Sequence, residues 1–395
     1  MSYKNNHYVP RLVLRRFADK VSVYNIKTGE LAENKRLEKV FALSELYSEE
    51  VEKELAEKIE SPFALILNNK ILSSKVGDNI EITRKELNII KKFLLVSQMR
   101  VFVEEGKFSF LEKGLTQAMK KMGVEFPFEE REISETVEQR WLRNIKVVVE
   151  CQDLSKIQEH ELCTYEIYRW AQIYNAGYMA IWDGENSGED FIITDIGMTS
   201  EVEPSYVKIG LETDKKNYLM KRFLEETNLL VKQNLLNLLY AQVNFHENYY
   251  MFSISKNRMI VIINPFFRMY DKKEKLGVPN IWPTEIQDRK LFEKNKSERL
   301  PIIMGKQVLK ENDKFWYKIC QMNWEDVVWV NMLMLDRIDT LLGFADLEKI
   351  SDSIYNYIEW HKERNIVAPR DYQSLLKIIK ERGILTNSYI NDYSS

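Results

Sequence analysis

The sequence predicts an α+β fold that is rich in helix and contains a small, mostly antiparallel sheet. Apolar residues recur at three- and four-residue spacing over most of the chain, which is typical of amphipathic helices. Between residues 177 and 263, apolar stretches without that spacing are separated by turn residues, which indicates strands. The 395 residues include 45% hydrophobic residues but only Gly 14 and Pro 9, so we expect a folded chain without long linkers.

This pattern divides the chain into three regions. Residues 1–175 are predicted to be mostly helical and carry the N-terminal motif described below. Residues 176–345 are predicted to form a core region that contains the sheet, and residues 346–395 a helical extension.

The first predicted element is a helix close to the N-terminus. Pro10 fixes its own backbone angle and has no N–H to leave unpaired, so it suits the first turn of a helix that ends near Ala18. Three- and four-residue spacing places apolar side chains on one face of this helix and basic side chains around the other. The apolar face carries Val13, Leu14 and Phe17, and the other side carries Arg11, Arg15 and Arg16.

A hairpin and a long amphipathic helix are expected next. Residues 21–26 alternate like a half-buried strand, and the turn at 27–30 leads the chain back. The helix begins at Glu49, and we expect it to break or kink at Pro62.

A capping box marks the start of the following helix. The Thr83 side chain can accept from the N–H three residues on, while Glu86 reaches back to the N–H of Thr83. The helix that follows carries Gln98 and Arg100 in its later part. Two more helices are predicted, at residues 108–122 and 133–149.

The strands of the core region are predicted as two hairpins. Residues 177–182 and 191–195 would form the first, and residues 249–253 and 259–263 the second. A helix at 217–242 separates them. Because a single hairpin cannot bury its apolar face, we expect both hairpins to share one sheet.

Two helices are expected in the last part of the chain. One opens at Trp324 and continues through Leu335 and Leu342, with a stripe of methionine and leucine that indicates core packing. The other is an amphipathic helix at residues 371–382.

Charge and cysteine content limit the classes of function. The net charge of −3 and the pI of about 6.0 exclude the strongly basic surface of a protein that coats nucleic acid nonspecifically. Three cysteines without a Cys-x-x-Cys pair favour a reducing cytoplasm. The N-terminus lacks the pattern of a secretory signal, and the apolar runs are shorter than the ~20 residues of a membrane span, so no membrane partner is expected.

His7 is the first candidate functional residue. It stands just ahead of the predicted helix N-terminus, where exposed N–H groups favour anions, and Lys4 and Arg11 add positive charge. In the structural alternative, Tyr8 and Val9 fasten the helix to a core and His7 bonds a backbone carbonyl. Both interpretations remain open.

Asp195 is the second candidate. It closes an apolar strand, and carboxylates at strand ends commonly face a crevice where they hold a metal or act as a base. An aspartate at this place is also a frequent turn former or helix cap. Cys151, His160 and Cys163 lack a fourth ligand, so they do not indicate a structural zinc module.

The N-terminal motif Asn-His-Tyr-Val-Pro at residues 6–10, followed by Leu14 and Phe17, resembles the opening signature of a bacterial domain family of unknown function. The resemblance implies an arginine on a mid-chain helix, for which Arg100 is the candidate. The family's glutamine three residues earlier would fall on Ser97, although Gln98 is adjacent.

Two later phrases resemble the family less closely. The strand ending at residues 191–197 is similar to the family's phrase, but Ile196 and Gly197 stand where the family has asparagine and proline. In a later strand end, Ser253 and Lys256 stand where it has prolines.

The resemblance and the residue types together lead to one preferred hypothesis. His7, Asp195 and Arg100 would form a catalytic site for metal-assisted hydrolysis of phosphodiesters, as in a nuclease, with a divalent metal such as magnesium on Asp195. Ligand-binding residues would be Tyr8, Arg11, Arg15 and Gln98. The resemblance also implies a role in phage defence or a toxin system.

The alternative is a binding module without catalysis. In that case the basic N-terminal helix would recognise an anionic, phosphate-containing ligand or nucleic acid. The sequence leaves a homo-oligomer open under either hypothesis.

Overall fold

The computed structural model describes residues 5–44, 48–101, 137–202 except 198, 247–263, and 311–387 except 364, 366 and 385, with 221 and 225 as isolated residues. The helices predicted at 108–122 and 217–242 lie outside the described residues. The strands are β1 (Asn5–His7), β2 (Lys20–Asn25), β3 (Glu30–Arg36), β4 (Ala42–Ser44), β5 (Asn79–Thr83), β6 (Tyr178–Asp183), β7 (Ile193–Thr194), β8 (Thr199–Val202), β9 (Glu247–Ser253), β10 (Arg258–Ile263), β11 (Lys314–Gln321) and β12 (Leu341–Phe344).

Most of the helices lie between these strands along the chain, and the last two follow β12. They are α1 (Arg11–Leu14), α2 (Glu49–Leu55), α3 (Ser61–Ile66), α4 (Arg84–Val101), α5 (Val137–Glu150), α6 (Tyr165–Ala176), α7 (Trp324–Arg337), α8 (Ser351–Glu363) and α9 (Gln373–Glu381). None of the helices in the described residues is long and apolar enough to cross a membrane.

Within the described residues the strands form three sheets. A six-stranded sheet has the order β5-β11-β6-β10-β9-β8, in which the pair of β11 and β6 is parallel and the others are antiparallel. A four-stranded antiparallel sheet has the order β3-β2-β12-β7, and β1 pairs with β4 alone. The predicted helix-rich α+β fold with small, mostly antiparallel sheets is confirmed.

The second predicted hairpin is confirmed and the first is wrong. β9 and β10 pair as expected, and β6 lies beside β10 in the same sheet. β7, however, pairs with β12 in the other sheet. A Cβ atom on Gly343 of β12 would lie 2.7 Å from the Ile193 side chain, so the missing side chain is what lets β7 come this close.

The N-terminal helix is shorter than predicted. It ends at Leu14, because the N–H groups of Arg16 and Phe17 turn to the carbonyls three residues back instead of continuing an α-helix. This tighter turn directs Phe17 into the core. The predicted faces are confirmed, since Val13 and Leu14 are also buried while Arg15 and Arg16 are exposed.

The amphipathic helix passes through Pro62 with a local irregularity. A π-helical turn, Ala56–Glu60, separates α2 from α3, and Pro62 lies in the first turn of α3. Proline removes one backbone donor and clashes with the carbonyl four residues back, which a widened turn relieves. The predicted kink therefore takes the form of a π turn that ends at Glu60.

Helix α4 is held at its start and along its length by polar contacts. The N–H of Thr83 donates to Oε2 of Glu86 at 2.8 Å and the N–H of Glu86 donates to Oγ1 of Thr83 at 3.3 Å, which confirms the capping box. Further along, two buried lysines cap the ends of neighbouring helices. Lys91 Nζ donates to the carbonyl of Gly177 after α6 at 2.9 Å, and Lys92 Nζ to that of Cys151 after α5 at 2.7 Å.

The last helices agree with the sequence except at one boundary. α7 ends at Arg337 rather than near Leu342, because residues from Leu341 join the four-stranded sheet as β12. α9 lies within the predicted 371–382 helix. The division of the chain at 175 and 345 stays a prediction, and the pairing of β5 with β11 and of β2 with β12 joins residues on both sides of position 175.

Candidate functional site

The N-terminal motif forms a strand and not the approach to a long helix. His7 lies opposite Ala42 in the ladder of β1 and β4, and the N–H of Tyr8 donates to the carbonyl of Phe41 at 3.1 Å. The helix behind it, α1, has only four residues. So short a helix adds few aligned peptide dipoles, and the anion site expected at its N-terminus is not supported.

His7 is buried, with one ring nitrogen unused. The residue is 8% exposed, and its ring forms a hydrogen bond with the backbone of Val40. Nδ1 is buried and has no hydrogen-bond partner among the described residues. Since the bond to Val40 takes the ring proton, the lone pair is on Nδ1.

Charges around His7 act in opposite directions on its pKa. Burial lowers the pKa most, and the positive charge of Arg11 lowers it further. The bond to Val40 and the carboxylates of Glu60 and Glu38 oppose this shift but do not cancel it. The pKa of His7 therefore lies below its ordinary value, and the ring is neutral at pH 7.

Arg100 forms an ion pair with Glu60. Its Nη1 lies 2.6 Å from Oε1 of Glu60, and the Arg100 side chain is only 2% exposed. α4 supplies the arginine, and the end of the π turn supplies the glutamate. Glu60, which the sequence did not single out, thus pairs with Arg100, and its charge also acts on the pKa of His7.

The Asp195 carboxylate accepts backbone hydrogen bonds, and its charge acts on Tyr8. Its carboxylate accepts N–H bonds from the turn that precedes β12, namely from Asp339 at 3.1 Å, Thr340 at 2.5 Å and Leu341 at 2.8 Å. Burial raises the pKa of Asp195, and these three bonds oppose the shift. Both oxygens accept hydrogen bonds in this way. The carboxylate therefore stabilises a turn, which was the alternative to its use as a metal ligand.

Tyr8 connects the motif to Asp195. Its ring packs edge-on against Phe41, and burial followed by the charges of Asp195 and Asp339 raises its pKa. His7 and Tyr8 therefore face different partners, with Glu60 and Arg100 near the first and Asp195 near the second.

The remaining predicted ligand residues divide into exposed and buried ones. Arg11 pairs with Glu38 at 2.7 Å, and Arg15 is exposed just after the same short helix. Gln98 is buried and its Oε1 accepts a hydrogen bond from the hydroxyl of Tyr174, so it belongs to the packing between α4 and α6.

No metal centre is evident in the part of the chain that the structure describes. It contains no group of three or more histidine, cysteine, aspartate or glutamate residues placed to hold a metal ion. The three cysteines are free thiols.

Comparison with known proteins identifies the family. Residues 5–337 match the family described as Protein of unknown function (DUF4238). The chain belongs to this family. The match runs from β1 to the end of α7 and so includes His7, Glu60, Arg100 and Asp195. Searches of curated proteins and of solved structures gave no match.

Proposed function

We propose that this DUF4238 protein hydrolyses phosphodiester bonds, with His7 as the proton acceptor. The observation that carries the proposal is the unpartnered Nδ1 of buried His7, close to Arg11 and to the Glu60–Arg100 pair. A buried polar atom without a partner costs free energy, and a catalytic role is one of the reasons for which such an atom is retained.

The reaction begins with a water molecule held by Nδ1. The water oxygen attacks phosphorus while its proton passes to Nδ1, and the bond from phosphorus to the leaving oxygen breaks. The leaving oxygen takes a proton from solvent, and His7 later returns its own proton to solvent. One water is consumed, and the two products are an alcohol and a phosphate monoester.

Neighbouring charges fit this sequence of events. Glu60 stabilises the imidazolium that forms when His7 takes the proton, because a carboxylate favours the charged ring. Arg100 is a positioning residue that holds Glu60 in place. Arg11 is the cation nearest to solvent at the site and would meet the negatively charged phosphate.

The proposed reaction does not use Asp195 as a metal ligand. Both oxygens of Asp195, the predicted metal ligand, already accept backbone N–H bonds, and the described residues supply no cluster of three ligands. Asp195 and Tyr8 then act as the scaffold that holds the motif.

The test is a cleavage assay on labelled RNA, single-stranded DNA and duplex DNA, with magnesium, with manganese and with chelator. We expect cleavage by the native protein and a loss of about 100-fold or more in His7→Gln. His361 is a matched control, since it is also a buried histidine, with Nδ1 bonded to the carbonyl of Tyr357. His361→Gln should keep full activity, and unchanged cleavage by folded His7→Gln would refute the proposal.

A second candidate is the binding module without catalysis. Arg15 and Arg16 are exposed beside Arg11, which favours recognition of an anionic ligand. Binding of nucleic acid without cleavage under every metal condition would select this candidate. A role in phage defence or a toxin system stays a prediction of the family resemblance.

A further inference from the structure

Three arginines from two parts of the chain act electrostatically on one exposed carboxylate, that of Glu38. Arg11 and Arg15 come from α1 and the residue after it, Arg36 ends β3, and Glu38 lies in the 3-10 turn that follows. Arg11 pairs with Glu38 at 2.7 Å. The pKa of Glu38 is lowered first by its own backbone N–H, and then by Arg11, Arg36 and Arg15. We call Arg11, Arg15 and Arg36 the arginine cluster.

The cluster carries more positive charge than Glu38 balances. The charges of three guanidinium groups act on this one carboxylate, and Arg36 of β3 also lies directly opposite Lys20 of β2 in the strand register. Like charges opposite each other on neighbouring strands are destabilising. Charged residues on an edge strand protect it from aggregation. This explains Arg36 on β3, but it does not explain why Arg11 of α1 pairs with Glu38 beside it.

The cluster is continuous with the candidate site. The charge of Arg11 lowers the pKa of both Glu38 and His7. This member of the arginine cluster therefore connects it with the proposed proton acceptor. Glu38 has a side chain that is 57% exposed, so it can turn into solvent when a stronger anion arrives. Arginine binds phosphate through two parallel N–H bonds, which makes phosphate such an anion.

We propose that the arginine cluster binds successive phosphates of a single-stranded nucleic acid, next to the phosphate that His7 attacks. The inference rests on the proposed function and adds its substrate class. Three guanidinium groups can bind more than one phosphate, which suits a chain of phosphates better than a mononucleotide. His7 is nearly buried, so a flexible strand can bring a phosphate to Nδ1 more easily than a stiff duplex.

The test measures binding separately from cleavage. Labelled RNA and single-stranded DNA of about 20 nucleotides, the matching duplex, and inorganic phosphate as competitor are titrated against the native protein over a range of salt concentrations. The double variant R15E/R36E should weaken strand binding about tenfold or more and reduce the slope of log K against log salt by about 0.7 for each lost phosphate contact. Lys362→Glu, on exposed α8 surface, is the control for added negative charge.

Each outcome separates this inference from the proposed function. His7→Gln should lose cleavage while its Kd for the strand stays near the native value. Equal strand affinity of R15E/R36E and the native protein, tighter binding of duplex than of single strands, or effective competition by inorganic phosphate alone would each overturn the inference. Strand binding without cleavage would leave the inference standing and remove the proposed hydrolysis.

Discussion

The guanidinium of Arg100 and the carboxylate of Glu60 form an ion pair of 2.6 Å beside His7, although the three residues come from α4, a π turn and β1. Arg100 is almost fully buried, so this ion pair helps to offset the cost of burying its charge. The pair therefore couples stability to the electrostatic environment of His7.

Removal of the carboxylate should destabilise the protein. Glu60→Gln removes the carboxylate that pairs with the buried Arg100 charge at 2.6 Å, and we expect the free energy of unfolding to fall by roughly 3 kcal/mol. Urea denaturation measures the change. The double variant Glu60→Gln with Arg100→Met should recover part of the loss, because no buried charge is then left unpaired. A loss below about 1 kcal/mol in the single variant would show that the pair is solvated.

The pKa of His7 should respond to its two charged neighbours in opposite directions. Arg11→Gln removes a positive charge and should raise this pKa, whereas Glu60→Gln removes a negative charge and should lower it further. NMR titration of the imidazole signals measures both, and His7→Gln assigns the signal among the four histidines. If His7 is the proton acceptor, the acid limb of the pH–rate profile should move by the same amounts. Equal shifts of the His7 pKa in both variants would contradict the opposite effects expected of Arg11 and Glu60.

Asp195→Asn distinguishes a turn-forming carboxylate from a metal ligand. The asparagine amide has one acceptor oxygen and turns its NH2 toward donors, so N–H bonds from the 339–341 turn are lost. We expect a fall of about 2 kcal/mol in the free energy of unfolding, with activity following stability. Loss of activity at an unchanged melting temperature would instead favour the metal ligand predicted from the sequence.

Glu189 should make stability depend on pH. Its buried carboxyl accepts the N–H groups of Asp352 and Ser353 at the start of α8, and burial raises its pKa from 4.5 to about 8. The folded state then binds the proton more tightly than the unfolded chain. The stabilisation is complete below pH 4.5 and is lost as the pH rises toward 8.

Thermal melts across this pH range test the assignment. Glu189→Gln should remove the decline in melting temperature that its ionisation causes, while Glu348→Gln, at an exposed position nearby, should not. A decline of equal size in native protein and Glu189→Gln would assign the pH dependence to other groups.

The sequence predicted only part of the candidate site. The motif at residues 6–10 pointed to His7 through its unusual combination of residue types, and Arg100 was indicated only by the family resemblance. Glu60 and Arg36 were missed, since each is one charged residue among many on an amphipathic helix or an edge strand. Nothing within a few positions of Glu60 indicates that it meets Arg100.

Elements defined by near neighbours followed from the sequence alone. The capping box of Thr83 and Glu86, the hairpins β2–β3 and β9–β10, and the buried face of Val13, Leu14 and Phe17 depend on spacing over a few residues. Side-chain periodicity and turn chemistry determine such features before any distant contact forms.

Tertiary structure decided how these elements meet. β6 and β7 are adjacent in sequence and were predicted to pair, yet β7 lies against β12 because Gly343 leaves room for Ile193. Likewise, Asp195 is committed to the turn before β12, and Glu60 rather than Asp195 is among the charges that act on the pKa of His7. Strand partners and charge pairs between distant residues depend on which surfaces pack with least strain and leave the fewest buried polar atoms unpaired, and local sequence does not contain that information.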